Sequence, residues 1–182
     1  MPADKYNIVY VEGVDADGKV NSDAIDLWND RRLLIQIVDG KPLMIGNWAA
    51  TTEPGRHYTN RPMNSNGAAR VQFGQYKAWS VGRHGNSFPH EALVQVGPIA
   101  VCRDLNKDGF RTGDRIGTGL FGINQHSTSG KPPNIGAWSA GCLVGQSLAD
   151  HRNFMAIVKS DSRYKQNAKY IFRTTIIDGS KL

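Results

Sequence analysis

The residues with the most chemistry in them stand close together. They are Gly122-Ile123-Asn124-Gln125-His126 and a run of Ser139-Ala140-Gly141-Cys142, whose cysteine stands sixteen residues after the histidine. A thiol becomes a strong nucleophile when it loses its proton, and a neighbouring imidazole is suited to take that proton near neutral pH. A glycine just before a nucleophile lets the backbone turn tightly and a substrate come close. The N–H groups of such a turn face the place where negative charge develops on an attacked carbonyl. Cys142 is therefore the candidate nucleophile and His126 its base. Ser139 is a candidate for orienting His126, through its hydroxyl or its carbonyl, and the N–H groups of Gly141 and Cys142 are the candidate oxyanion site. The other cysteine, Cys102, lies in an apolar run and reads as a small core hydrophobe. Neither cysteine belongs to a Cys-x-x-Cys pair, which speaks against zinc and thioredoxin-like chemistry.

These residues need a strand end and a tight loop to hold them. Alternating, β-branched residues at 6–11 predict a first strand. Asn21 or Ser22 is placed to cap a short helical turn through Trp28. The apolar runs 32–38 and 42–48 flank Asp39-Gly40, a strong hairpin signal. Residues 49–69, rich in Thr, Asn, Gly and Pro, predict a long surface loop. Further strands are expected at 70–81, 92–96, 98–102, 116–124 and 169–177. Loops are expected at 82–90, 104–115 and 125–141. The one convincing helix is 146–159, where Leu148, Met155 and Val158, with Phe154 and Ile157, make an apolar stripe. The expectation is a single mostly β domain over residues 1–182, a sandwich or barrel with one principal helix.

The pattern Gly-Ile-x-x-His, a loop, then Gly-x-x-x-Ser-x-Gly-Cys resembles the active-site segment of the L,D-transpeptidase (YkuD-type) catalytic domain. The resemblance covers about residues 116–150, with a weaker likeness at the hairpin 32–48. Two departures stand out. Ala140 occupies the position of a family histidine, and Leu143-Val144 follow the cysteine where the family has an Ile-Arg step. The resemblance implies peptidoglycan chemistry: Cys142 attacks the carbonyl after the L-centre of diaminopimelate in a stem peptide, D-alanine leaves, and a thioester forms. Water then gives hydrolysis, and an amine acceptor gives a cross-link. Tyr76, Trp79, Arg83 and His84 are candidates for the wall of the substrate groove. Arg83 or His84 would meet a stem-peptide carboxylate in place of the missing arginine, with Arg103 and Arg111 as rivals. Trp138 is a candidate lid or packing anchor.

The formal net charge is +6, which favours encounters with polyanions, the bacterial envelope among them. Arg31-Arg32 is the one adjacent pair of basic residues of like kind, and no basic arm or helix is visible, so nucleic acid is not an expected partner. No stretch approaches the roughly 18 apolar residues of a membrane span, and the start has no apolar signal region. The expectation is a monomer made in the cytoplasm that reaches peptidoglycan in the periplasm after release or export, as a lysin or an injected effector does. Asp104, Asn106 and Asp108 with Gly109 resemble the start of a calcium loop, but Arg115 stands where a bidentate acid is needed, and alternating Asp and Asn also build Asx turns. No metal or cofactor is expected. The rival readings are a true cross-linking L,D-transpeptidase and a non-catalytic wall-binding module.

Overall fold

The computed structural model describes residues 5–182. Strand takes 42% of it and helix 15%, so the chain is mostly β, with eleven strands in two sheets and one main helix. The strands are β1 (Tyr6–Glu12), β2 (Asp30–Val38), β3 (Lys41–Thr51), β4 (Ala68–Val71), β5 (Gly74–His84), β6 (His90–Gln95), β7 (Ile99–Asp104), β8 (Arg115–Gly119), β9 (Gln125–Ser127), β10 (Leu143–Gly145) and β11 (Phe172–Asp178). A short helix α1 (Arg56–Asn60) follows β3, and α2 (Leu148–Ser160) and α3 (Ser162–Gln166) precede β11.

Eight strands close a barrel in the order β1-β11-β5-β6-β9-β10-β3-β2. Two of its pairings are parallel, β1 with β11 and β9 with β10. Strands β4, β7 and β8 form a separate antiparallel sheet. The expected hairpin is present: Val38 pairs with Lys41, and Asp39 (φ 50°) and Gly40 (φ 76°) take the left-handed conformations that a two-residue primed turn requires. The core holds Ile8, Leu34, Trp79, Leu93 and Phe172 from the strands and Phe154, Met155 and Val158 from α2. Ser147 caps α2, its side chain accepting the N–H of Asp150 at 3.2 Å. Inside the barrel, Gln125 Nε2 donates to Thr174 Oγ1 at 2.7 Å, tying β9 to β11.

Five expectations are corrected, the first being the loop 125–141, which opens with the strand β9. Residues 21–28 form no helix. Asp23 (φ 46°) and Asp26 (φ 72°) are left-handed, and Asp26 Oδ1 accepts the N–H groups of Arg56 (2.9 Å) and Gly136 (2.7 Å), so this segment clamps two distant loops. The expected loop 49–69 contains α1. The expected strand 70–81 is two strands, β4 and β5, that break at Gln72-Phe73 and join different sheets. The expected strand 116–124 stops at Gly119, because the Gln95 side chain replaces a ladder neighbour. Its Oε1 accepts from Phe121 N (3.0 Å) and Ile123 N (2.9 Å), and its Nε2 donates to the Gly119 carbonyl at 3.0 Å.

One interior region is ionic. Arg70 Nη2 lies 3.3 Å from Glu12, 3.1 Å from Asp23 and 3.1 Å from Glu53, and Arg111 pairs with Glu12. Asp30 Oδ1 and Oδ2 accept the N–H groups of Gly13 and Thr52 beside them. Two guanidinium groups face four carboxyls there, so the full set of negative charges is not stabilised. Burial, reinforced by Glu12 and Asp23, pushes Asp30 up to about 7. Burial pushes Glu53 up to about 9 despite Arg70. Burial pushes Glu12 upward too, but Arg111 and Arg70 more than offset it and hold that carboxyl below its usual value.

Candidate active site

The parallel pairing of β9 with β10 brings the two ends of the sequence motif side by side. Its register sets Leu143 against Gln125 and Val144 against His126, and Leu143 N donates to the Asn124 carbonyl at 3.0 Å. Cys142 thus enters β10 next to Asn124, two residues from His126 on the neighbouring strand. The Asn124 N–H donates to Cys142 Sγ at 3.4 Å, and the thiol in turn points its proton toward the Gly122 carbonyl at 3.8 Å. Cys142 and His126 line one cleft of about 620 Å³, with Tyr58, Phe121 and Trp138 among its walls.

Only glycine fits the residue before Cys142. Gly141 has φ 127°, and a Cβ there would lie 2.5 Å from the Ala69 carbonyl oxygen. The turn is tied by Ser139, whose hydroxyl donates to the Cys142 carbonyl (2.8 Å) and accepts the Gly141 N–H (3.1 Å). Two expected roles change as a result. Ser139 shapes the turn that leads into Cys142 and makes no hydrogen bond to His126, and the Gly141 N–H is already engaged. The Cys142 N–H takes no hydrogen-bond partner among the described residues.

His126 is oriented by the residue after it. Its Nδ1 lies 3.0 Å from the Ser127 carbonyl, which only accepts, so Nδ1 carries the proton and Nε2 is left with a lone pair. The Ser127 N–H donates to His90 Nε2 at 3.2 Å, and His90 Nδ1 lies 2.9 Å from the Phe88 carbonyl. His84 stacks on His126, ring centres 3.9 Å apart and planes 20° from parallel. Behind them the fully buried Arg32 lies 4.0 Å over the Phe154 ring and meets His151 Nδ1 at 3.1 Å. Burial, then His84, pushes His126 down to about 3, and burial pushes the Cys142 thiol up to about 11. The resting pair is a neutral thiol and a neutral imidazole.

His84 and Trp138 line the cleft. Trp79 does not: it is fully buried, and its Nε1 donates to the Ile123 carbonyl at 2.8 Å, which pins the segment leading into β9. Tyr76 is also outside the cleft, its hydroxyl donating to the Gln72 carbonyl at 2.9 Å. Arg83 lies on another face and donates to the Pro89 carbonyl. Arg111 is engaged with Glu12. Arg103 is the one Lys, Arg, Asp or Glu lining the cleft, its guanidinium 4.8 Å over Phe121 with no ion pair among the described residues. Cys102 is buried, its thiol donating to Gln72 Oε1 at 2.8 Å.

No protein-family model, curated protein or solved structure matches this chain. The site therefore stands on its own geometry. That geometry adds Asn124, Ser127 and His90 to the residues singled out in the sequence. Asn124 and Ser127 flank the motif histidine closely enough to have been candidates. His90 is brought in only by the β5–β6 hairpin. In residues 104–110, Asp108 N donates to Asn106 Oδ1 and Phe110 N to Asp108 Oδ1, two successive Asx turns, while Gly109 N donates to Asp104 Oδ2 and Asn106 Nδ2 to Asp108 Oδ2. No group of three or more His, Cys, Asp or Glu among the described residues gathers into a metal-binding set. No helix among them is long and apolar enough to cross a membrane.

Proposed function

We propose that this protein is a cysteine peptidase that cleaves peptidoglycan stem peptides through a thioester on Cys142. The observation that carries the reading is the orientation of His126. Its Nδ1 is held by the Ser127 carbonyl, its Nε2 is free to accept a proton, and the thiol of the adjoining strand shares its cleft. The resemblance of 116–150 to the L,D-transpeptidase segment supplies the substrate class, and the lone cation Arg103 in the cleft suits a peptide rich in carboxylates.

The neutral resting pair shapes the mechanism. A thiol at about 11 beside an imidazole at about 3 does not form an ion pair in advance, so proton transfer accompanies attack. His126 Nε2 takes the thiol proton as Sγ bonds to the carbonyl carbon. The tetrahedral adduct collapses, the C–N bond breaks, and His126 returns the proton to the departing amine. Water then attacks the thioester, giving a proton to His126 and restoring the thiol as the acid leaves. An amine in place of that water makes the same enzyme a transpeptidase.

Mass spectrometry of purified muropeptides incubated with the wild type and with Cys142→Ala tests this. Loss of a terminal D-alanine, or cleavage of a cross-linked dimer, by the wild type alone is expected. New or exchanged D-amino acid bonds in the presence of an acceptor amine indicate transfer. The raised thiol is the one feature that favours a wall-binding module without turnover. In that case neither protein changes the muropeptides, and both bind sacculi equally after thiol alkylation.

A further inference from the structure

The cleft holds a second imidazole that the mechanism above leaves unused, and the hydrogen bonds around it fix where its proton sits. The Gln95 N–H donates to Asn124 Oδ1 at 2.9 Å. A backbone N–H only donates, so the Asn124 amide is fixed, and its NH2 faces His84 Nδ1 at 2.9 Å. His84 Nδ1 is therefore an acceptor, and the neutral ring carries its proton on Nε2. His126 is held the opposite way, with the proton on Nδ1. Two stacked rings in one cleft thus offer one lone pair and one N–H donor. The His84 Nε2–H has no partner among the described residues.

The turn beside Cys142 is short of a donor. An attacked carbonyl is stabilised by donors aimed at its developing negative charge. Here the Gly141 N–H is taken by Ser139, which leaves the Cys142 N–H alone. The Asn124 residue that holds His84 also donates its backbone N–H to Cys142 Sγ, so His84 is two hydrogen bonds from the nucleophile.

We propose that His84 is the second oxyanion donor for addition to Cys142, acting through Nε2–H, and that Asn124 is the positioning residue that fixes its tautomer. The inference rests on Cys142 being the nucleophile. As the Sγ–C bond forms, the thiol proton passes to His126 Nε2 and the carbonyl π electrons move onto oxygen. The oxygen is held there by the Cys142 N–H and the His84 Nε2–H. On collapse those electrons re-form the carbonyl as the leaving group departs, and His84 keeps its proton throughout. His84 thus acts on the reacting carbonyl and is not the partner of a substrate carboxylate.

The test uses an aldehyde, N-acetyl-alaninal, to which a thiol adds reversibly to give a tetrahedral hemithioacetal. Its affinity is read as protection of Cys142 from iodoacetamide. Adduct affinity is expected to fall roughly 10- to 100-fold in His84→Phe, which keeps a stacked ring without the donor. His84→Gln, whose amide N–H stands near the place of Nε2, is expected to recover most of it. Nitrogen-15 NMR of the wild-type imidazoles is expected to show His84 as the Nε2–H tautomer. In Asn124→Asp the carboxylate draws the proton to Nδ1, and at a pH where NMR shows the ring neutral, affinity falls as in His84→Phe. An Nδ1–H tautomer in the wild type, or unchanged affinity in a folded His84→Phe, overturns the proposal. Absence of any adduct in the wild type removes both this proposal and Cys142 as nucleophile. An adduct that depends on His84, with muropeptides untouched, removes only the peptidoglycan reading.

Discussion

Ser127 holds His126 by its carbonyl, 3.0 Å from Nδ1, while its own hydroxyl is buried without a partner. The third member of the proposed constellation is thus a peptide group. It fixes the tautomer of the base as a carboxylate would, but it brings no negative charge to stabilise an imidazolium. The same peptide is anchored from behind, its N–H donating to His90 Nε2 at 3.2 Å.

Truncating that side chain is therefore expected to matter little. Ser127→Ala should keep kcat/KM on stem peptides within about twofold of wild type, since only an unpartnered hydroxyl is lost. A loss of 100-fold would place the hydroxyl in the chemistry.

The neutral pair has a signature in pH. With the thiol at about 11, the thiolate fraction at neutral pH is small and grows about tenfold per pH unit. Alkylation of Cys142 by iodoacetamide should accelerate at that slope from pH 7 to pH 10, with no plateau. A plateau beginning below pH 7 would show a preformed ion pair.

The ionic interior predicts a second pH effect, on stability. A carboxyl whose folded-state value is raised stabilises the fold fully below its unfolded value and loses that contribution as pH rises through the folded one. For Asp30 the window ends near 7 and for Glu53 near 9. His126 and His151 act oppositely, since burial holds them near 3 and 2, and their contribution is complete above about pH 6.5. Between pH 7 and pH 9 the histidine contributions are complete and the Asp30 window has closed, so the fall in Tm expected there comes from Glu53. Glu53→Gln, uncharged at any pH, should flatten that fall, as thermal unfolding at each pH will show.

Arg103 offers a test of what the cleft selects. Replacing this lone cation by methionine should raise KM for stem peptides with free carboxylates about tenfold and leave kcat nearly unchanged. Peptides with those carboxylates amidated should not feel the substitution. Equal effects on both would show that Arg103 only supports Phe121.

Much of this was legible in the sequence because it is local. The hairpin at Asp39-Gly40 and the stripe of α2 follow from turn chemistry and helical period. His126 and Cys142 were visible because one short loop separates them. What was not legible depends on distant partners. Trp79 reads as an aromatic on a strand face, and only the assembled core shows that face buried, with Nε1 donating to the Ile123 carbonyl. Residues 21–28 carry helix-capping residues, but Asp26 is drawn into bonds with Arg56 and Gly136. Residues 120–124 look like strand until the Gln95 side chain takes their N–H groups. Arg103 was one of several arginines until the sheet of β4, β7 and β8 placed it beside the cleft.

The barrel's ring closes between β1 and β11, the first and last strands described, and Gln125 reaches across the interior to Thr174 on β11. This fixes the order in which the molecule can mature. On the ribosome, β1 can pair with β2 early, but its other edge stays bare until residues 172–178 have emerged. The strand that carries His126 lacks its cross-brace for the same interval. A chain stalled after the helix holds His126 and Cys142 in an unclosed ring, so the proposed activity should appear only once the last strand has been made.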